Sequence, residues 1–447
     1  MKTYNYPPKV SNTDIAYNLL MLKADPLLVY PKNIKKYGAT FYLNLPLFKY
    51  KIIVTQDSNF IEHVLQKNQR NYSKSPLQTE SLAKYVGKGI LTNDGEDWKR
   101  QRKFIQPSFN KGVIENFSNI MLQEIKKAFD KIPENTSFDI YETMNGLTFR
   151  IIAKCLFGDA LNDEQVNEIS ARITSAQNML VKEFRKPYYN WWYNFSGAIK
   201  DEIKKTEEIR QIFKELILAR KESVEKHDDM LNMLLEARYE DNHEPMSNER
   251  LVDELIIIFV AGHETTGIAL SWIIYLLSKH PDAIEKIKEE NQLMGEDIFK
   301  TENLIKPSFT MACVNEAMRL YPPAWAIDRI AKEDDAFGNF SWEKGAIIIA
   351  YIHGMHRNPH NWADAELFKP ERLMGLKKLP DNFLPFGAGP RMCIGNHFAM
   401  MEMVLTIRWI FNNVDIEVLT KNVEPIALVT LRPDKITGRL QKLDTKH

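Results

Sequence analysis

Residues 386–395 read Phe386-Gly387-Ala388-Gly389-Pro390-Arg391-Met392-Cys393-Ile394-Gly395. Glycines let a backbone bend tightly and come close to a flat ligand. The mostly apolar stretch 394–411 reads as a helix, so Cys393 is expected to open it. Partial positive charge and free N–H groups at a helix N-terminus favour a thiolate over a thiol. A thiolate so placed can donate electron density to iron. The competing account is a buried cysteine in a glycine-rich turn, and for a lone cysteine that account is the better one. The rest of the chain decides between them.

The chain has 447 residues, 44% of them hydrophobic and 26% charged, so it can bury a core large enough to hide a cofactor from water. Its 59 basic and 59 acidic residues cancel, which removes any global charge argument for nucleic acid or an anionic membrane. A charged partner must be met by a local patch. The three cysteines, Cys155, Cys313 and Cys393, are few, distant and odd in number, so no disulfide framework is expected and a reducing compartment is. The N-terminal stretch holds no apolar run long enough for a signal peptide or a membrane span. The expectation is a cytoplasmic protein without a membrane. No repeat or low-complexity tract interrupts residues 1–447, which read as a single domain.

Residues 40–56 carry β-formers and read as a hairpin, with Pro46 limiting one strand to an edge. Segments 58–70, 77–86, 96–106 and 113–132 read as helices, and 139–180 as largely helical. The longest helical pattern is 248–280. Ser247 is its N-cap, Lys279 and His280 suit its last turn, and Pro281 stops it. It would be about 50 Å long. Its middle, Leu255 to Val260, is apolar all round, so it runs through a core. A further helix is expected at 308–320 and a β-hairpin at 338–352. The fold class is mainly α, with a small β-rich lobe that includes about 36–60 and 330–352.

Inside the long helix sits Ala261-Gly262-His263-Glu264-Thr265-Thr266. A polar cluster in a buried helix costs free energy unless it has partners or a function. Thr265 can bond the Ala261 carbonyl four residues back and loosen the helix. Glu316 and Arg319 share a helix face. Trp98 and Arg102, four apart, share another.

Together these segments resemble the cytochrome P450 family over nearly the whole chain, and soluble bacterial members most. The pattern F-x-x-G-x-R-x-C-x-G matches the family's haem-binding loop, 386–395. The resemblance implies haem b with Cys393 as its thiolate ligand, and O2 as co-substrate. Phe386 would pack near the sulfur, Gly387 and Gly395 would shape the loop, and Arg391 would pair with a propionate. Trp98, Arg102 and Arg329 match further propionate contacts. Glu264 and Thr265 match the family's acid–threonine pair, with Ala261 beside the iron. Glu316, Arg319 and Arg372 match a Glu bridged by two arginines that locks the cysteine loop; Leu373 stands where the family often has Phe.

The same resemblance implies a monooxygenase that inserts one oxygen atom of O2 into a C–H bond. Only about 50 residues follow Cys393, so electrons are expected from a separate ferredoxin or flavodoxin with its NAD(P)H reductase. Lys99, Arg100 and Lys103 would dock that donor. Leu91, Ala261, Trp325 and Ile327 would line the substrate pocket. Two substrate classes stay open. One is an apolar compound such as a fatty acid or terpene. The other is a methyl ether such as a methoxy sugar, O-demethylated with release of formaldehyde. The aromatic run 188–195 would be lid packing in the first case and a sugar platform in the second. Other outcomes are a haem-thiolate sensor without turnover, against which Glu264 and Thr265 speak, and an isomerase or peroxygenase, whose members depart from the threonine motif.

Overall fold

The computed structural model describes residues 3–443 apart from 22–24, 45–50, 186–188, 226, 305 and 377. Two compact units divide the chain. One comprises residues 1–75, 315–393 and 425–432, the other 76–314, 394–424 and 433–447.

The first unit is built on a five-stranded sheet. Thr40–Leu43 pairs antiparallel with Ile52–Thr55, Thr40 opposite Thr55 and Leu43 opposite Ile52. That is the hairpin expected at 40–56; Pro46 lies outside the described residues. Ile52–Thr55 then pairs in parallel with Ile347–Ala350, which pairs antiparallel with Ile327–Ala331, and Tyr72–Ser73 closes the edge. The β-branched Ile53, Val54 and Ile348 are buried, as is Ala350, which suits inner strands. The segment 338–352 is not one hairpin. Phe340–Trp342 turns back onto Asp335–Phe337, while Ile347–Ala350 becomes a central strand. There its backbone groups find ladder partners on both sides, where a local hairpin would satisfy one side only.

The second unit is helical, around the long helix Asn248–Ser278. Ser247 caps it by accepting the Arg250 N–H. Pro281 does more than stop it: it is the first residue of the next helix, Pro281–Met294, where its missing N–H is no loss. The long helix packs against Ile140–Phe157. Gly267 permits this, since a Cβ there would sit 2.8 Å from the Asn145 Cα. By length and composition the long helix could cross a membrane, yet 78% of its 18-residue apolar window is buried in the protein. It is a core helix, as the all-round apolar pattern predicts. Asp163–Arg185 and Ala198–Glu222 pack on each other, and Ala198–Glu222 also packs on the long helix.

Two expected helices carry wider turns. Segment 58–70 begins as an α-helix over Ser58–Glu62 and widens to a π-helix over His63–Lys67; segment 77–86 opens with a π-helix over Leu77–Leu82. The expected run 139–180 is two helices, Ile140–Phe157 and Asp163–Arg185, separated after Gly158, whose φ is +58°.

Candidate active site

In the first unit the cysteine loop is a chain of tight turns. Gly387 and Gly389 have φ of +72° and +70°, a region that favours glycine. At Gly389 a Cβ would also collide with the Leu65 carbonyl oxygen. The Met392 N–H donates to the Gly389 carbonyl at 3.0 Å, and the Cys393 N–H donates back to the Phe386 carbonyl at 2.9 Å. This last bond corrects one expectation. Cys393 does not open the helix: Met392 is extended, and the helix Asn396–Asn413 begins after its N-cap Gly395. The bond back to Phe386 holds Cys393 in the loop. Its side chain is exposed, whereas Cys155 and Cys313 are buried, and burial pushes the Cys155 thiol up. Only Cys393 has the exposure that a metal-binding thiol needs.

Two guanidiniums of this unit sit in desolvated surroundings. Burial lowers Arg391 to about 10. Arg329, on the strand Ile327–Ala331, is 8% exposed and lowered by burial, partly offset by Asp328. Its Nη1 donates to the Asp328 carbonyl. Ile327 lies against the loop, its Cδ1 3.4 Å from where a Gly387 Cβ would stand. Trp325 donates its indole N–H to the Leu428 carbonyl and packs edge-on against Tyr351. Those contacts fix the orientation of its ring.

The triad forms as expected. Glu316 and Arg319 have no exposed side-chain surface. Arg319 Nε donates to Glu316 Oε2 at 2.9 Å and Nη2 to Oε1 at 2.8 Å. Arg372 Nε donates to the same Oε1 at 3.1 Å. The remaining Arg319 N–H groups donate to the carbonyls of His356, Ala365 and Leu367. Every guanidinium donor is used, which a buried arginine requires. Leu373 is 6% exposed in a cluster with Trp362, Ala365 and Phe383, so the departure from Phe fills the same core.

In the second unit, Thr265 Oγ1 donates to the Ala261 carbonyl at 2.9 Å, the bond that the spacing predicts. Thr266 does the same to Gly262. Ala261 is exposed and Glu264 and Thr265 are half-buried, on a helix otherwise packed away. Glu264 Oε2 accepts a hydrogen bond from Gln177 Nε2 at 2.9 Å. His263 points into the core: its Nδ1 donates to the Phe259 carbonyl and burial lowers it to about 4. Trp98 is buried and Arg102 half-buried on the helix Gly95–Ile105. On its outer side the basic residues are paired: Lys99 with Glu96, Arg100 with Asp241, Lys103 with Glu240. Leu91 is half-buried in a loop that the long helix holds, since Asp253 accepts the Lys88 N–H and Glu254 the Ile90 N–H.

A cavity in this unit is lined by Leu82, Val86, Leu180, Ile209, Ile256 and Val260 among others. Its few polar neighbours are already engaged. Gln177 holds Glu264, Tyr85 donates to Glu183, and Thr206 bonds the Glu202 carbonyl. Neither Leu91 nor Ala261 is among its lining residues. Sequence reasoning missed this cavity and Gln177, whose partner is 87 positions away.

The donor set of the first unit fits haem. Among the described residues no group of three or more His, Cys, Asp or Glu could hold a bare metal ion. A lone exposed thiol therefore suits an iron that brings its own planar ligands. Arg391 and Arg329 carry a desolvation cost that two propionates would offset.

Such a donor set defines the haem-thiolate class of oxidoreductases. A family model for cytochrome P450 matches residues 7–436, and the chain belongs to that family. It is 29% identical over 406 residues to human cytochrome P450 4Z1, covering 85% of this chain and 79% of the relative. A cytokinin hydroxylase of Arabidopsis thaliana is 29% identical over 392 residues, with 84% and 76% covered. The cyclooctat-9-en-7-ol 5-monooxygenase of Streptomyces melanosporofaciens is 27% identical over 326 residues, with 72% and 71% covered. The crystal structure of the cytochrome P450DA heme domain has the same fold, with a TM-score of 0.88 over 99% of each chain at 19% identity. These human, plant and bacterial relatives stand at 27–29% identity. The protein is a haem-thiolate monooxygenase; the family uses haem with a cysteine thiolate, O2, a small-molecule substrate and a redox partner.

Proposed function

We propose that this chain hydroxylates an apolar compound such as a fatty acid or terpene, a reading that rests on the character of one apolar lining and not on its size. The observation that carries this reading is the cavity of the second unit. Its walls are aliphatic, and Gln177, Tyr85 and Thr206 already have partners. A site that binds a hydroxylated substrate needs polar groups aimed at it, because a buried hydroxyl without a partner is costly. O-demethylation of a methoxy sugar draws no such support. Trp191 and Phe195 are 68% and 80% exposed and line no part of the cavity; Tyr188 lies outside the described residues.

Cys393 would hold the haem iron through its thiolate, with Arg391 and Arg329 as cations for the propionates; the family resemblance adds Trp98 and Arg102 to the propionate contacts. Phe386 would shield the sulfur, and the glycines at 387 and 395 keep side chains from the loop. The bound haem supplies the activation of O2 for insertion into a C–H bond. Glu264 would take up a proton at Oε2 from solvent, and Thr265 Oγ1 would pass it inward. Thr265 Oγ1 donates to the Ala261 carbonyl; to pass a proton inward its hydroxyl would accept from Glu264 on a lone pair and turn its own O–H away from that carbonyl. The family resemblance assigns substrate contacts to Leu91, Ala261, Trp325 and Ile327, none of which lines that cavity.

Electrons would come from a ferredoxin or flavodoxin-type protein, steered to Lys99, Arg100 and Lys103. Their present partners Glu96, Asp241 and Glu240 are mostly exposed. Exposed pairs are weak, so an acidic donor could exchange for them. A cytoplasmic setting is part of the same proposal.

The test is a spin-state titration of the purified ferric protein with fatty acids, terpenes, and methylated and unmethylated sugars, followed by product analysis. A low-to-high spin shift with apolar compounds, and a hydroxylated product, is expected. A shift with a methoxy sugar alone, with formaldehyde released, would overturn the assignment.

A further inference from the structure

We infer that His356 is a positioning residue for the cysteine loop, joining the buried Glu316–Arg319 pair to the turn that carries Cys393. The inference rests on the haem-thiolate reading for its consequence, but its geometry lies wholly within the first unit.

His356 has no exposed surface and engages two segments. Its carbonyl accepts Arg319 Nη1 at 2.7 Å. Its Nε2 accepts the backbone N–H of Leu384 at 2.9 Å. A ring nitrogen that accepts carries no proton, so the imidazole is neutral and its proton is on Nδ1. Burial and the nearby Arg319 charge both favour that neutral form. The ring stacks on Phe383 at 5.6 Å between centroids, with Trp362 edge-on at 6.5 Å. Trp362 in turn lies beneath the Arg319 guanidinium.

Hydrogen bonds continue from there to the cysteine. The Leu384 carbonyl accepts the Gly387 N–H at 3.1 Å, and the Phe386 carbonyl accepts the Cys393 N–H at 2.9 Å. The Leu384 N–H is thus the point at which the triad meets the loop. Without an acceptor there, a buried N–H is left unpaired, and the turn at Gly387 loses its support. The sulfur then has no fixed position from which to meet an iron. No sequence pattern marks His356 for this role. It is a single histidine in Met355-His356-Arg357, 28 positions from its partner.

The experiment compares His356→Phe, which keeps a stacking ring but no acceptor, with His356→Gln, whose amide oxygen can accept. Ile274→Ala, a buried substitution in the second unit, serves as a destabilised control. Amide exchange of the 383–393 segment should speed up about 100-fold in His356→Phe. His356→Gln should return it toward the parent, and Ile274→Ala should leave it alone. The ferrous carbon monoxide complex of His356→Phe should lose its red-shifted, thiolate-type band at a temperature where far-UV dichroism still shows a folded protein. In the unmodified protein, nitrogen NMR should report the Nδ1–H tautomer for His356. Unchanged exchange in His356→Phe, or an Nε2–H tautomer in the parent, overturns the inference. Accelerated exchange in a protein whose parent never shows the thiolate band would uphold the clamp and refute the haem-thiolate assignment instead.

Discussion

Replacing Glu316 by Gln should destabilise the protein by about 3–5 kcal/mol, the scale for breaking a buried ion pair from one side. The carboxylate accepts from Arg319 Nε and Nη2, Arg372 Nε and the Lys369 N–H. All four end on a charged carboxylate, and three also start from a charged guanidinium, so they are stronger than neutral bonds. An amide keeps one oxygen, which can still accept from Lys369 and Arg372. Its NH2 then faces an Arg319 donor, and Arg319 stays charged with no exposed surface. The assay is urea unfolding followed by far-UV dichroism. At a slope of about 2–3 kcal/mol per molar, the midpoint should fall by about 1–2.5 M. Lys99→Ala breaks an exposed pair with Glu96 and should leave the midpoint where it is. A Glu316→Gln midpoint within about 0.3 M of the parent would refute the view that this buried carboxylate holds the segment around it.

Three other outcomes follow from the same geometry. Gly389→Ala should abolish stable haem retention, read as the haem-to-protein absorbance ratio after gel filtration, because of the Leu65 carbonyl and the positive φ; Gly112→Ala, with open space around it, should retain haem normally. Thr265→Ala should bind haem but form product per electron pair less well by about 100-fold, the scale of a positioned proton donor; unchanged coupling would remove Thr265 from the relay. For pH, His263 and His356 are lowered by burial to about 4 and about 3, so between these values and about 6.5 the unfolded chain binds more protons. Their contribution is full above about 6.5 and is lost as pH falls. Glu402 is pushed well above its ordinary value by burial, so its contribution is full below about 4.3 and is lost as pH rises. Glu402→Gln should therefore raise the urea midpoint more at pH 8 than at pH 5; equal shifts at both would contradict the burial argument.

What the sequence made legible was what local periodicity and short spacing encode. The long helix, its Ser247 cap, the Thr265 bond to Ala261 and the hairpin at 40–56 all depend on residues close in the chain. The triad was legible because Glu316 and Arg319 are one helical turn apart and the segment around Arg372 has a characteristic pattern. Long-range pairing was not legible. Ile347–Ala350 takes its partners from Ile52–Thr55 and Ile327–Ala331, and no local pattern distinguishes that from a hairpin. The neutralised helix face escaped for the same reason: Asp241 and Glu240 lie about 140 positions from Arg100 and Lys103. The position of Cys393 ahead of the helix depended on one backbone bond to Phe386, which helix periodicity cannot register.

The central claim is that Cys393 is the thiolate that holds the haem iron, and the carbon monoxide complex of the reduced protein tests it most directly. The parent should show the red-shifted Soret band of thiolate ligation, and Cys393→Ser, with Cys155 and Cys313 untouched, should lose it while remaining folded. Retention of that band in Cys393→Ser, or its absence from the parent, would contradict the assignment.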